Sequence, residues 1–130
     1  MIIDSSALVA IVLEEPEKAQ FLSAVEKASI NLVAAPNLVE TNLVLLGRGG
    51  ELLSTILENF MAEAGIQTLS FTADHALAAR EAFLRFGKGR HKAGLNFGDC
   101  MAYATAKVER MPLLFKGADF ALTDVEVVSA

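Results

Sequence analysis

The sequence has one cysteine, three prolines and no long apolar run, and each shortage excludes a class of protein. Cys100 alone cannot form an internal disulfide, and so little cysteine is typical of the reducing cytoplasm. With few prolines and 21% charged residues, intrinsic disorder is not expected. No apolar run reaches the ~18 residues of a membrane span, and no basic segment followed by an apolar one indicates a signal peptide. We therefore expect a cytoplasmic protein without a membrane partner.

The chain also lacks an excess of positive charge. Its formal net charge is −5, from 11 Lys and Arg against 16 Asp and Glu. Binding to a polyanion depends on Lys and Arg, so general nucleic-acid binding is not expected. A metal-dependent nuclease is not excluded, because a bound cation reverses the charge of a local carboxylate cluster. The acidic total is also compatible with a basic partner protein.

The hydrophobic pattern predicts one α/β domain over residues 1–130. The chain is 53% hydrophobic, which is enough for a substantial core at this length. Short apolar runs alternate with amphipathic stretches, which indicates strand–helix–strand units. Strands are predicted at residues 1–4, 31–34, 66–69, 112–115 and, at an edge, 125–128. Helices are predicted to begin at residues 5 or 6, 16, 36, 51, 73 and 96.

Two expectations concern side chains of these helices. A serine, Ser5 or Ser6, is expected to cap the first helix. Leu77, Phe83 and Leu84 are expected to face inward from the fifth helix, and the phenylalanines in general are expected to lie in the core.

Four acidic residues stand where predicted elements begin or end. Asp4 ends the first strand and Glu40 lies early in the helix after the second. Asp99 opens the helix before the fourth strand, and Asp119 follows that strand. In a parallel sheet the carboxyl ends of the strands share an edge, so these acids are expected to converge. A charge beside a core strand is costly unless it is paired or bound to a metal, and no Lys or Arg precedes Lys18.

Converging carboxylates need protons or a cation, because they repel one another. Mg²⁺ and Mn²⁺ prefer oxygen ligands, and four acids can hold one such ion partly through water, or two ions. These ions activate water and stabilise charge on a phosphate during in-line attack. The four acids therefore predict a divalent metal site.

Each acid also has an ordinary structural interpretation. Asp99 fits a helix cap or dipole partner, Glu40 a solvated helix position and Asp119 a turn residue. The four together favour a functional site more than any one of them does. Asp124 is a fifth candidate, although a turn or edge-strand role is favoured for it. Ser6 can orient a metal-bound water or cap the first helix, and the cap is favoured.

The stretch from Gly87 to Gly94 is basic and rich in glycine, with Lys88, Arg90, His91 and Lys92. Its order of glycine and lysine does not match the phosphate-binding loop G-x-x-x-x-G-K-[ST]. It is either a solvated loop or, because it precedes Asp99, a segment that holds substrate phosphates near the metal.

Three segments in order resemble the PIN-domain ribonucleases. They are Met-Ile-Ile-Asp-Ser-Ser-Ala-Leu-Val-Ala at 1–10, Leu-Asn-Phe-Gly-Asp-Cys at 95–100, and Leu-Leu-Phe-Lys-Gly-Ala-Asp-Phe at 113–120 with Thr-Asp at 123–124. Each segment is short, but their order and spacing make the resemblance specific, and it covers essentially the whole chain. Within the family the sequence is most similar to the VapC group, the toxins of type II toxin–antitoxin systems.

This resemblance implies an α/β/α sandwich with a short, mainly parallel sheet. It also implies endonucleolytic cleavage of RNA with Mg²⁺, or with Mn²⁺ in its place. By position, Asp4, Glu40, Asp99 and Asp119 match the catalytic acids of the family, and Asp4 and Asp99 match its metal ligands most clearly. The fourth acid varies in the family, so both Asp119 and Asp124 remain candidates for it.

The resemblance further implies partners. Similar proteins form homodimers and are inhibited by a small cognate antitoxin, which often places a basic side chain in the acidic pocket and binds operator DNA through its other end. With RNA as the substrate, Arg90 and Lys92 are the candidates for RNA contact. The RNA target and its cleavage site are not indicated by the sequence.

Two other functions are compatible with the residues. A phosphatase or phosphotransferase would use Asp4 as its nucleophile, but the usual pattern has a second Asp two residues later, where this chain has Ser6. A non-catalytic α/β binding module would bind no divalent metal. The four acids at strand ends favour the nuclease over both.

Overall fold

A four-stranded parallel sheet lies at the centre of the computed structural model, which describes residues 1–128. The strands are β1 (Ile2–Ile3), β2 (Leu32–Ala34), β3 (Gln67–Leu69) and β4 (Leu113–Leu114). Their order across the sheet is β3-β2-β1-β4, and Ile2 pairs with both Leu32 and Leu113. The fifth predicted strand is wrong, because only a single bridge joins Val127 to Leu113.

The helices begin and end close to their predicted positions. They are α1 (Ser5–Val12), α2 (Lys18–Lys27), α3 (Ala35–Gly49), α4 (Glu51–Ala64), α5 (Ala73–Phe86) and α6 (Phe97–Glu109). The start of α2 falls two residues after Pro16, because residues 14–17 form a turn in which Glu14 has a φ of 56°. Within residues 1–128, none of the helices has the length and apolar character needed to cross a membrane.

The sheet separates two hydrophobic cores. Ile3 points into one core, which contains side chains of α1, α2, α3 and α4, while Ile2 points into the other, which contains those of α5 and α6. Neighbouring strand residues point to opposite faces of a sheet, so two adjacent isoleucines serve both layers. This arrangement confirms the predicted α/β/α sandwich with a short parallel sheet.

Two side-chain predictions are wrong. The cap of α1 is Asp4, whose carboxylate accepts the Ser6 amide, and neither serine caps the helix. On α5 the three residues predicted to face inward, Leu77, Phe83 and Leu84, are exposed, with Leu77 66% exposed. The buried side chains of this helix are His75, Ala79, Ala82 and Phe86. Small alanines let α5 pack closely on α6, while Leu77, Phe83 and Leu84 lie on the outer surface. Phe97 is also exposed, at 78%, rather than part of the core.

Candidate metal centre

Asp4 lies where the chain leaves β1 and enters α1. Its side chain is buried, and its Oδ2 accepts the Ser6 amide at 3.0 Å and the Ser6 hydroxyl at 2.6 Å. Oδ1 is also buried, and no donor from residues 1–128 reaches it. A buried carboxylate oxygen without a partner is costly, so this atom is available to a ligand that the protein chain does not supply.

The surroundings of Asp4 disfavour its negative charge. Burial raises the pKa of Asp4 to about 6 from an ordinary value of 3.8, although the two hydrogen bonds from Ser6 lower it. The negative charges of Asp99 and Glu40 also contribute to this raised pKa of Asp4, so both side chains act on it electrostatically. A cation would remove the disadvantage, because it attracts the charge that burial and the neighbouring acids oppose.

Ser6 connects Asp4 to the loop that follows β4. Its hydroxyl donates to Asp4 Oδ2 and accepts the Lys116 amide at 2.9 Å. The Lys116 ammonium lies 2.9 Å from Glu15 Oε1, so it pairs with that acid rather than with Asp4. Ser6 therefore engages one oxygen of Asp4 and leaves the other open.

Glu40 reaches the same region from the second turn of α3, which begins directly after β2. Its Oε1 accepts hydrogen bonds from the Ser5 hydroxyl and, at 3.4 Å, from Asn37 Nδ2. The other side of its carboxylate lies against Gly98, where an added Cβ would stand 2.2 Å from Glu40 Oε2. Glycine at this position is what allows the Glu40 carboxylate to lie beside the first turn of α6.

Asp99 belongs to that first turn of α6. Its Oδ2 accepts the Asn96 amide at 3.1 Å, and its own amide donates to Asn96 Oδ1 at 2.9 Å, so the two residues cap the helix reciprocally. Burial raises the pKa of Asp99, the hydrogen bond from the Asn96 backbone lowers it, and the charges of Asp119 and Glu40 raise it. Asp99 therefore takes part in capping α6, as predicted, and it also lies among the other acids.

Asp119 and Asp124 have different surroundings. Asp119 is exposed and lies directly before the short 3₁₀ turn Phe120–Leu122. Its negative charge contributes to the raised pKa of Asp99. Asp124 accepts a short hydrogen bond from the Tyr103 hydroxyl, and its Oδ2 lies 3.3 Å from Arg85 and 3.4 Å from Lys107. The sequence left open which of the two joins the other acids. In the structure Asp119 interacts electrostatically with Asp99, whereas Asp124 is bound by side chains of α5 and α6.

The four acids form a charged group but not a closed coordination shell. Within residues 1–128, no three Asp, Glu, His or Cys side chains already stand as a ligand set for a metal ion. Mutual repulsion between carboxylates opposes such closeness until a cation is present. The unpartnered Oδ1 of Asp4 and the all-oxygen donor set nevertheless fit a hard divalent cation such as Mg²⁺ or Mn²⁺.

The basic loop leads from α5 into α6. The guanidinium of Arg90 lies 5.7 Å from the centre of the Phe83 ring, and Lys92 is exposed. Among residues 1–128, no acid forms a salt bridge with either cation. Both charges are therefore open to solvent just ahead of the helix that carries Asp99.

Sequence reasoning missed three residues that surround the acids, namely Ser5, Asn37 and Gly98. A signal for Asn37 was present, because residues three apart in a helix lie on the same face and Asn37 precedes Glu40 by three. Gly98 precedes Asp99 directly. Its importance depends on how α3 approaches α6, which the order of residues does not reveal.

Known proteins similar to this chain share most of its length. The PIN domain family matches residues 1–126. Ribonuclease VapC36 of Mycobacterium tuberculosis is 48% identical over 127 residues, which cover 97% of this chain and 91% of that protein. Ribonuclease VapC of Mycolicibacterium smegmatis is 45% identical over 128 residues, which cover 98% of this chain and 99% of that protein.

Two solved structures share the fold. VapC20 of Mycobacterium tuberculosis, a sarcin–ricin loop cleaving toxin, superposes with a TM-score of 0.80 at 17% identity, covering 99% of this chain and 98% of that one. VapBC2 of Rickettsia felis, bound to a DNA fragment from its promoter, gives a TM-score of 0.78 at 13% identity, covering 98% and 96%. At these identities the likeness concerns the fold alone.

Proposed function

The chain belongs to the PIN-domain family and, within it, to the VapC type, and from this membership we propose that it is a ribonuclease toxin of a toxin–antitoxin system. Relatives named ribonucleases, 45–48% identical over nearly the whole chain, support an RNA-cleaving hydrolase. The finer proposal is that cleavage requires Mg²⁺ or Mn²⁺. The observation that carries it is the buried, unpartnered Oδ1 of Asp4 at an edge where other acids gather.

Asp4 and Asp99 are the residues that would hold the cation first, and Glu40 and Asp119 would be its further ligands. When bound, a divalent cation activates water and stabilises the negative charge that develops on a phosphate. Ser6 keeps Asp4 Oδ2 engaged and leaves Oδ1 without a partner from the described chain, and Asn96 fixes Asp99 at the start of α6. We take Asp119 rather than Asp124 as the fourth acid, because Asp124 is already bound by Tyr103.

RNA must approach an acidic centre on a protein of negative net charge. Arg90 and Lys92 are the proposed RNA contacts, since both lie in the loop that leads to Asp99 and no acid of the described chain pairs with them. Phosphate contacts of this kind strengthen binding to any sequence and do not select one. The RNA target would therefore depend on the shape of the surface around the centre.

The proposed partners are a cognate antitoxin and a second copy of this chain. Among the proteins with the same fold are toxin–antitoxin complexes from Klebsiella pneumoniae and Rickettsia felis, which supports the antitoxin. An acidic centre that forms no salt bridge with a cationic side chain of residues 1–128 is suited to a basic residue from such an inhibitor. Operator DNA would be contacted through the antitoxin.

The experiment that tests this function is cleavage of total and structured RNA by the purified protein in Mg²⁺, Mn²⁺ or EDTA. Discrete cuts are expected with either metal and none with EDTA. Asp4→Asn and Asp99→Asn should each abolish cutting, while Asp124→Asn, the same chemical change away from the centre, should leave it intact. Cutting that persists in EDTA, or in folded Asp4→Asn protein, would overturn the proposal.

A further inference from the structure

Asn37 is one of the most deeply buried polar residues in the protein. Its side chain is 1% exposed and lies in the first turn of α3, one turn before Glu40. Its Nδ2 donates to the backbone oxygen of Gly98 at 3.0 Å and lies 3.4 Å from Glu40 Oε1. One amide group therefore bridges the helix that carries Glu40 and the helix that carries Asp99.

The same residue is connected to the segment that carries Asp4. The Ser5 hydroxyl lies within hydrogen-bonding distance of the Asn37 backbone oxygen, at 3.1 Å, and of Glu40 Oε1. Ser5 follows Asp4 directly, just as Gly98 directly precedes Asp99. A single buried network thus contacts Glu40 itself and the chain neighbours of two other acids.

The environment of Asn37 is not optimal for stability. Its Oδ1 is buried, and among residues 1–128 no donor reaches this oxygen. A buried acceptor without a partner is destabilising. Rotating the amide would not help, because the oxygen would then face the carbonyl of Gly98. The orientation of the side chain is therefore dictated by Gly98 and Glu40.

We infer that Asn37 is a positioning residue, which sets the Glu40 carboxylate against the first turn of α6 so that Glu40 and Asp99 bind one divalent cation together. This inference rests on the proposed function, since it concerns the same centre. Asn37 does not contact the cation and acts through Glu40. Residues that orient metal ligands typically change metal affinity or activity by about 10–100-fold when they are replaced.

The test is a double-mutant cycle that measures Mn²⁺ affinity by isothermal titration calorimetry without RNA. Asn37→Ala should weaken Mn²⁺ binding about 10-fold in the otherwise natural protein. In a Glu40→Gln background the same change should have no further effect, because the group through which Asn37 acts has been altered. In cleavage assays at a fixed Mn²⁺ concentration below saturation, Asn37→Ala should lower kcat and leave the KM for RNA unchanged.

Thr41→Val is the matched control. Thr41 is fully buried one turn later on α3, and its hydroxyl donates to the Asn37 backbone oxygen at 2.7 Å. The change removes a buried hydrogen bond of the same helix without touching an acid, so Mn²⁺ affinity should be unchanged even where thermal unfolding shows lost stability. If Asn37→Ala does not fold, Asn37→Ser replaces it, since serine is too short to bridge Gly98 and Glu40, and the same 10-fold loss is expected.

The outcomes separate this inference from the proposed function. Natural protein that binds no Mn²⁺ would overturn both. Natural protein that binds Mn²⁺ while Asn37→Ala binds it equally well would overturn the positioning role alone. An undiminished effect of Asn37→Ala in the Glu40→Gln background would also overturn it, because Asn37 would then not act through Glu40.

Discussion

Acidic side chains at two places in this protein have opposite electrostatic surroundings. Asp124 is surrounded by the Tyr103 hydroxyl and the cations of Arg85 and Lys107. Desolvation opposes its charge, but these partners outweigh that effect and lower the pKa of Asp124. Asp4 has no cationic partner among residues 1–128, and its pKa is raised to about 6.

The difference shows which acids are structural. Where a carboxylate only fastens one segment to another, the chain supplies the neutralising charge. At the edge of the sheet, Asp4, Glu40, Asp99 and Asp119 form none of the salt bridges of the described chain, and the nearby Lys116 pairs with Glu15 instead. The missing positive charge is the physical basis for proposing a cation there.

Among variants that keep all four acids, the largest effect on metal binding is expected for Gly98→Ala. The new Cβ would stand 2.2 Å from Glu40 Oε2 and displace that carboxylate, so Mn²⁺ affinity should fall about 10–100-fold. Gly47→Ala is the control, because no atom lies within 4 Å of a Cβ at that helical position. The measurement is titration calorimetry of both variants, and equal Mn²⁺ affinities would contradict the packing of Glu40 described above.

The next effect concerns the stability of the metal-free protein. The pKa of Asp4 is about 6 in the folded protein, above its ordinary value of 3.8. Between these two pH values the folded state therefore keeps a proton that the unfolded state has lost. Stability is therefore lost as the pH rises through this window. Asp4→Asn cannot ionise and can still accept the Ser6 amide as a helix cap, so it should be more stable than the natural protein at pH 7 by on the order of 2–3 kcal/mol.

Urea unfolding in EDTA at several pH values measures this difference. The advantage of Asp4→Asn should grow from pH 4 to about pH 6 and stay constant above that, following the pKa of Asp4. A variant less stable than the natural protein at pH 7 would show that the carboxylate at Asp4 stabilises the metal-free fold.

The smallest effect is expected for Asp124→Asn, and it should have the opposite sign. Loss of the Asp124 charge weakens its ion pairs with Arg85 and Lys107. Because these ion pairs are partly exposed, the free energy of unfolding should fall by less than about 1 kcal/mol. The same urea measurements at pH 7 report it. A stabilisation like that of Asp4→Asn would remove the contrast between the two groups.

The acidic edge could be predicted from the sequence, because acidic residues stand at the ends of predicted strands. Asp4 and Asp119 follow apolar runs, and the carboxyl ends of parallel strands meet at one edge, so their convergence follows from the order of elements. The distinction between Asp119 and Asp124 was not predictable, since it depends on Tyr103 and Lys107 projecting from α6 toward the chain end. No local pattern encodes that contact between distant residues.

The exposed apolar side chains of α5 and the contacts of Asn37 could not be predicted from the sequence, for similar reasons. Leu77 and Phe83 look like core residues by their chemistry, but the alanines of α5 are what α6 packs against. Asn37 looks like an ordinary residue at the start of a helix until α6 places the Gly98 carbonyl beside it. Both features depend on how closely neighbouring helices pack, and residue type alone does not determine that distance.

We propose that a divalent cation binds at the acidic edge and supplies the positive charge that no salt bridge within residues 1–128 provides there. Mn²⁺ titration calorimetry of the RNA-free protein tests this most directly, with Asp4→Asn, Asp99→Asn and Asp124→Asn compared under one condition. We expect Mn²⁺ binding by the natural protein and by Asp124→Asn, and no measurable binding by Asp4→Asn or Asp99→Asn. Absence of binding by the natural protein, or equal binding by all four proteins, would contradict it.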